Sequence, residues 1–121
     1  MKIEITERTT LGQISNMFRG YFPYLQLRFY KRPIGWSGEQ YLQFQLNDDL
    51  EYKTIRKVGQ LLIVELNEYE LTIDFENRIK TELGLNIQLY RKYKDRWIRS
   101  EGSDILTISQ QNALGESDAS P

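Results

Sequence analysis

The chain has 121 residues, 40% of them apolar and 27% charged, with a formal net charge of −1. That balance describes one folded domain burying roughly two thirds of its unfolded surface, with no global field drawing it to nucleic acid or membrane. The lack of Cys and His excludes disulfides, thiolate nucleophiles, a Ser–His–Asp triad and every metal site built on those ligands.

The chain opens directly on a strand pattern, with Ile3 and Ile5 on one face of residues 2–6. No secretory leader precedes it, and no run approaches the ~20 apolar residues of a membrane span. Both observations point to a cytoplasmic protein. Thr10 and Gln13 have capping-box spacing, each side chain serving a free N–H of the first helical turn. Leu11, Ile14, Met17, Phe18, Tyr21 and Phe22 follow as one helical stripe, which Pro23 ends by disfavouring helical geometry at Phe22. Phe18 and the strand residue Leu27 are expected in the core. Leu25, Leu27 and Phe29 alternate with polar residues in a second strand, and Pro33, Gly35 and Gly38 make 31–39 a loop.

Leu42, Phe44 and Leu46 give a strand over 41–46, and Asp48 and Asp49 are placed to cap a short helical turn holding Leu50 and Ile55. Residues 61–66 read as a nearly unbroken apolar strand after Gly59. Thr72, Asp74 and Glu76 mark a second helix start, since carboxylates in a first turn favour the helix dipole. Phe75, Ile79 and Leu83 are its stripe, and Gly84 sits where a left-handed cap is wanted. Leu85, Ile87 and Leu89 alternate into a strand. Residues 93–95 turn the chain, and 96–100 return as a partner strand. Ile105 and Leu106 open a last helical turn, and from Gly115 the chain reads as frayed, with 116–121 a disordered tail.

The two halves match when overlaid. Ile3 and Ile5 answer Val64 and Leu66, and Ile14 and Phe18 answer Phe75 and Ile79, all at an offset of 61. LQLRFYK at 25–31 answers LNIQLYR at 85–91 at an offset of 60, and Trp36 answers Trp97. The pattern predicts two strand–helix–strand copies over 2–31 and 63–92, within matching segments 2–36 and 63–97. The expected fold is a single α+β domain over 1–115. It is a two-layer sandwich with a mixed five- or six-stranded sheet, two helices on one face, and parallel strands joined by right-handed crossovers. The competing layout is a ubiquitin-like β-grasp formed mainly by 41–108.

The stretches TLGQI…FPYLQLRFYK and ELGLNIQLYRKYKDRWIRS…LTISQQN resemble a family of small uncharacterised bacterial proteins of the kind found in Bacteroidota. The resemblance covers about two thirds of the chain. It implies an α+β protein with no established activity, so no functional residue carries over from it. The loop at 31–39 and the segment 47–58 fit that pattern less well.

Few constellations carry chemistry. Asp48, Asp49 and Glu51 have the residue types for Mg²⁺ binding or acid–base work, but the spacing suits a polar turn and no second set converges on it. The glycines of GWSG lack the Lys-Ser/Thr of a phosphate loop and lead into a strand. No cofactor is expected. Glu65, Glu68, Glu70, Asp74 and Glu76 with Tyr69 form an acidic stretch, read as a solvated strand end or as a docking edge for a basic partner.

The richest cluster is the hairpin 89–99. Lys92, Lys94, Arg96 and Arg99 stand among Tyr90, Tyr93 and Trp97, with Arg91 beside them. Cations that neutralise phosphate and rings that stack on bases suit single-stranded nucleic acid. The same charges suit a hairpin end that discourages edge pairing. Arg91 shares the inward direction of Leu89, which is tolerable only where the strand has left the core. The sequence thus describes a non-catalytic interaction or adaptor module that meets a protein partner or itself, with single-stranded nucleic-acid binding at 89–99 as the alternative.

Overall fold

A computed structural model of the chain describes residues 1–31, 45–57, 59, 61–100 and 105–119. Strand β1 is Lys2–Ile5, helix α1 Leu11–Tyr21 and strand β2 Leu25–Tyr30. A 3-10 turn follows at Tyr52–Thr54, then strand β3 at Leu62–Glu65, helix α2 at Thr72–Leu83 and strand β4 at Asn86–Tyr93. Strand β5, Arg96–Arg99, and helix α3, Ile108–Ala119, complete the order.

Local signals set the helix ends. The Thr10 hydroxyl accepts from Gln13 N–H, and the Gln13 side chain accepts from Thr10 N–H, so the capping box closes. The α1 cap at Phe22 stands just before Pro23. Gly84 ends α2 with φ 68°, a conformation that costs a residue with a Cβ about 1 kcal/mol or more. The α2 start differs from expectation. Its cap is Leu71, without a side-chain bond, and the Thr72 hydroxyl donates to Leu106 O instead (2.8 Å). The turn at Asn47 also differs. Asn47 Oδ1, not a carboxylate of Asp48 or Asp49, accepts from Asp49 N–H, and the 3-10 turn begins later, at Tyr52.

The architecture is α+β in two layers, helices against antiparallel sheet. Among the described residues the strands form two sheets, β1–β3 and β2–β4–β5, rather than one mixed sheet. A right-handed parallel crossover is imposed only when both strands of a β–α–β unit share a sheet. Here α1 carries the chain from one sheet to the other, as α2 does, and each strand pairs with its counterpart in the other half. The β-grasp alternative needs β3 and β4 in one sheet, which this pairing excludes. Phe18, Phe75, Ile79 and Leu83 bury their stripes against Ile3, Ile5, Val64, Leu25, Leu27, Phe29, Ile87 and Leu89 in one core. Each large side chain so buried contributes roughly 1.5–3 kcal/mol.

The order strand–helix–strand occurs twice, and so does the bonding around it. Ile3 faces Val64, and Arg28 faces Gln88, the pairs equated by the offsets of 61 and 60. Tyr30 and Tyr90 share a hydroxyl–hydroxyl bond of 2.6 Å. Leu46 N–H donates to Phe29 O as Ser100 N–H donates to Leu89 O. Tyr52 and Lys53 N–H donate to Thr9 and Glu7 O as Ile108 and Ser109 N–H donate to Glu70 and Glu68 O. The bridge Thr10–Glu51 matches Leu71–Thr107. Most of the expected strand 41–46, and Trp36, lie outside the described residues.

Residues 115–119, expected to fray, are instead helical, and 120 and 121 lie outside the described residues. From Ile108 through Ala119 the chain forms α3, opened by a second capping box in which Thr107 and Gln110 bond reciprocally. Its buried positions are Ile108, Gln111 and Gly115. Gly115 lies so close to β2 that a Cβ would stand 2.7 Å from Tyr24 Cβ and 2.8 Å from Tyr24 O.

Candidate functional site

The hairpin forms as expected, with Lys92 opposite Trp97 and Tyr93 opposite Arg96. Two residues turn the chain, and Lys94 takes a left-handed φ of 54°. Its N–H donates to Asp118 O in the last turn of α3 (2.8 Å), so α3 anchors the turn. Lys94, Asp95 and Arg96 are exposed at the tip, while Lys92, Tyr93, Trp97 and Arg99 are half-buried.

The aromatic rings carry the chain's own cations. Arg19 Cζ and Lys92 Nζ each lie 5.0 Å from the Trp97 ring centroid. Lys94 Nζ and Arg96 Cζ lie 5.6 Å and 5.7 Å from that of Tyr93. Such contacts are worth about 0.5–1 kcal/mol each at exposed sites, enough to bias where a flexible cation rests.

Tyr90 does not belong to this surface. It points away from Leu89 as alternation requires, but it is only 2% exposed. The Tyr30 hydroxyl meets its own, and Arg28 Cζ lies 4.0 Å over its ring. Arg91 takes the inward direction and is accommodated because α3 covers it. Its Nη1 donates to Gln111 Oε1 (2.9 Å), and Gln111 Nε2 donates on to Thr72 Oγ1 (3.1 Å). Gln111, Asn112 and Gly115 hold α3 against Arg91 of β4 and Tyr24 just before β2, a role that apolar periodicity does not mark. The signal that marks them is the Thr107–Gln110 capping spacing.

The acidic stretch divides into separate jobs. Glu70 takes a bidentate contact from Arg78, both bonds 2.9 Å, and holds that guanidinium's pKa above its ordinary value. Arg78 also reaches Glu82 Oε2 (3.0 Å) and Glu65 O (2.8 Å). Glu76 Oε2 accepts from Leu89 N–H at the edge of β4 (2.9 Å). Tyr69 is exposed, and Glu68 beside it raises its phenol pKa.

At the other carboxylate cluster, Glu51 pairs with Lys53 at 3.5 Å. Among the described residues no group of three carboxylates is close enough to hold a metal ion, and no helix is long and apolar enough to cross a membrane. No family model, curated protein or solved structure matches the chain.

Proposed function

We propose that the chain is a tandem duplication of one strand–helix–strand unit serving as a non-catalytic protein-interaction module. Its partner-facing surface is the β4–β5 tip, formed by Lys92, Tyr93, Lys94, Arg96, Trp97 and Arg99. The duplication is supported by the repeated backbone bonds, which tie residues 46, 52 and 53 of the first half and 100, 108 and 109 of the second at matching positions. The lack of His and Cys leaves only carboxylates, lysines and hydroxyls for chemistry, and supports a binding role.

One observation carries the choice of partner. Lys94 and Arg96 are exposed, while cations of the chain already lie near the rings of Tyr93 and Trp97. Stacking of single-stranded bases needs open ring faces. Rings that brace cations instead present a preorganised positive tip, suited to an acidic patch on a protein. The test is affinity capture from host extract with and without nuclease treatment, comparing the full chain with the triple variant Lys92→Ser, Lys94→Ser, Arg96→Ser. A discrete protein retained by the parent chain and lost by the variant is expected. Capture that depends on intact nucleic acid would favour the alternative, and so would oligonucleotide binding whose salt slope flattens in the variant.

A further inference from the structure

We infer that the outer edge of β3 is a docking site for a basic, extended segment of a partner protein, which joins the β1–β3 ribbon as a third strand. This deepens the interaction-module reading and rests on it. Leu66 N–H donates to Met1 O, so by antiparallel alternation Ile3 and Val64 exchange bonds while Ile63 and Glu65 turn their backbone groups away from β1. Arg78 takes the outward Glu65 carbonyl. The outward N–H and C=O of Ile63 and the N–H of Glu65 have no partner among the described residues. A row of such groups is the template on which a peptide strand adds.

The other half of the chain serves as an internal comparison. At the matching edge of β1, Lys2 has both backbone groups closed by the Tyr21 hydroxyl, which accepts from its N–H and donates to its carbonyl. The residue equated with Tyr21 by the offset of 61 is Glu82, which turns to Arg78 instead. Both halves have a groove here, about 430 Å³ between β1 and α1 and about 660 Å³ between β3 and α2, but the backbone groups closed at Lys2 are left open at Ile63.

Charge selects the occupant. Among the described residues, Glu65, Glu70 and Glu82 line the groove against one cation, Arg78. Leu61 and Ile63, 49% and 48% exposed, offer apolar contact to alternate side chains of an added strand. A segment alternating basic and apolar residues satisfies all three features. A second copy's β5 has related chemistry, but pairing β5 on β3 is heterologous and propagates into rings or filaments rather than a two-fold dimer.

The test uses the full chain and a short peptide alternating lysine and valine, with its glutamate counterpart as control. Saturable binding of the lysine peptide is expected, with amide hydrogen exchange slowed at Ile63 and Glu65. Glu65→Lys should weaken it about tenfold, the scale of one lost charge contact. Ile63→Pro removes the outward N–H without touching a ladder bond and should abolish the protection. Unchanged exchange at both amides, or binding by both variants as tight as the parent chain's, overturns the inference. Protection that appears without peptide, grows with protein concentration and vanishes in Arg96→Glu assigns the edge to a second copy and overturns it too. A null peptide result alongside capture lost in the triple hairpin variant would remove the edge site and leave the module reading intact.

Discussion

Phe18 and Leu27 were legible from alternation and helical spacing alone, and both are buried. Truncating either to Ala should cost roughly 2–5 kcal/mol in chemical denaturation, through lost transfer energy and a cavity. A loss below about 0.5 kcal/mol would contradict the assigned faces. Tyr52 shows what spacing does not reveal. It is fully buried, its hydroxyl donates to Leu83 O at 2.6 Å, and burial raises its pKa despite Arg56 beside it. Tyr52→Phe leaves that carbonyl unpaired and should cost about 1–3 kcal/mol at neutral pH. A phenol with a raised native pKa binds its proton more tightly when folded. Its stabilisation is therefore complete below the ordinary tyrosine value near 10 and fades as pH rises through the raised one. The stability gap between parent and Tyr52→Phe should thus be constant to about pH 9 and narrow above it. A gap that widens with pH would have the sign wrong. Tyr90 was misplaced because alternation fixes a direction but not what waits there, and Tyr30 with Arg28 covers that spot.

The capping boxes at Thr10 and Thr107 have the same form, yet the residues after Thr10 predict a full helix and those around Thr107 only a last helical turn opened by Ile105 and Leu106. The reason is the stripe that follows. Behind Thr10 it is apolar, whereas behind Thr107 the buried positions are Ile108, Gln111 and Gly115. Periodicity finds helices that bury hydrocarbon, and α3 docks instead through a side-chain bond network and one close backbone approach. Gly115→Ala puts a methyl into Tyr24. Overpacking of this kind costs about 1–3 kcal/mol, more than the ~1 kcal/mol that Ala gains in helix propensity. The Lys94 amide should then exchange faster, since Asp118 O is its acceptor. Unchanged stability and exchange would mean α3 does not anchor the hairpin. Lys94→Gly should raise stability by about 0.5 kcal/mol, because it relieves the left-handed strain at some cost in unfolded-chain entropy.

At the scale of the molecule, composition and periodicity made the α+β class and the recurrence of elements legible. Pairing was not, because a β–α–β pattern reads alike whether its strands share a sheet or divide between two. The capping boxes, the Gly84 cap and the hairpin are local events within a few residues, so they are written locally. The facing of β1 with β3 and of β2 with β4 depends on contacts some 60 residues apart, as in the Tyr30–Tyr90 bond. The functional account places a positive, ring-braced tip at the end of that symmetric frame and an acidic edge beside β3. The most direct measurement is photo-cross-linking in host cells with a benzophenone side chain at position 94 of the full chain, set against one at Lys53 as control. A discrete adduct from position 94 that resists nuclease, yields to protease and is absent from the control is expected. A nuclease-sensitive adduct, or equal labelling from both positions, would contradict it.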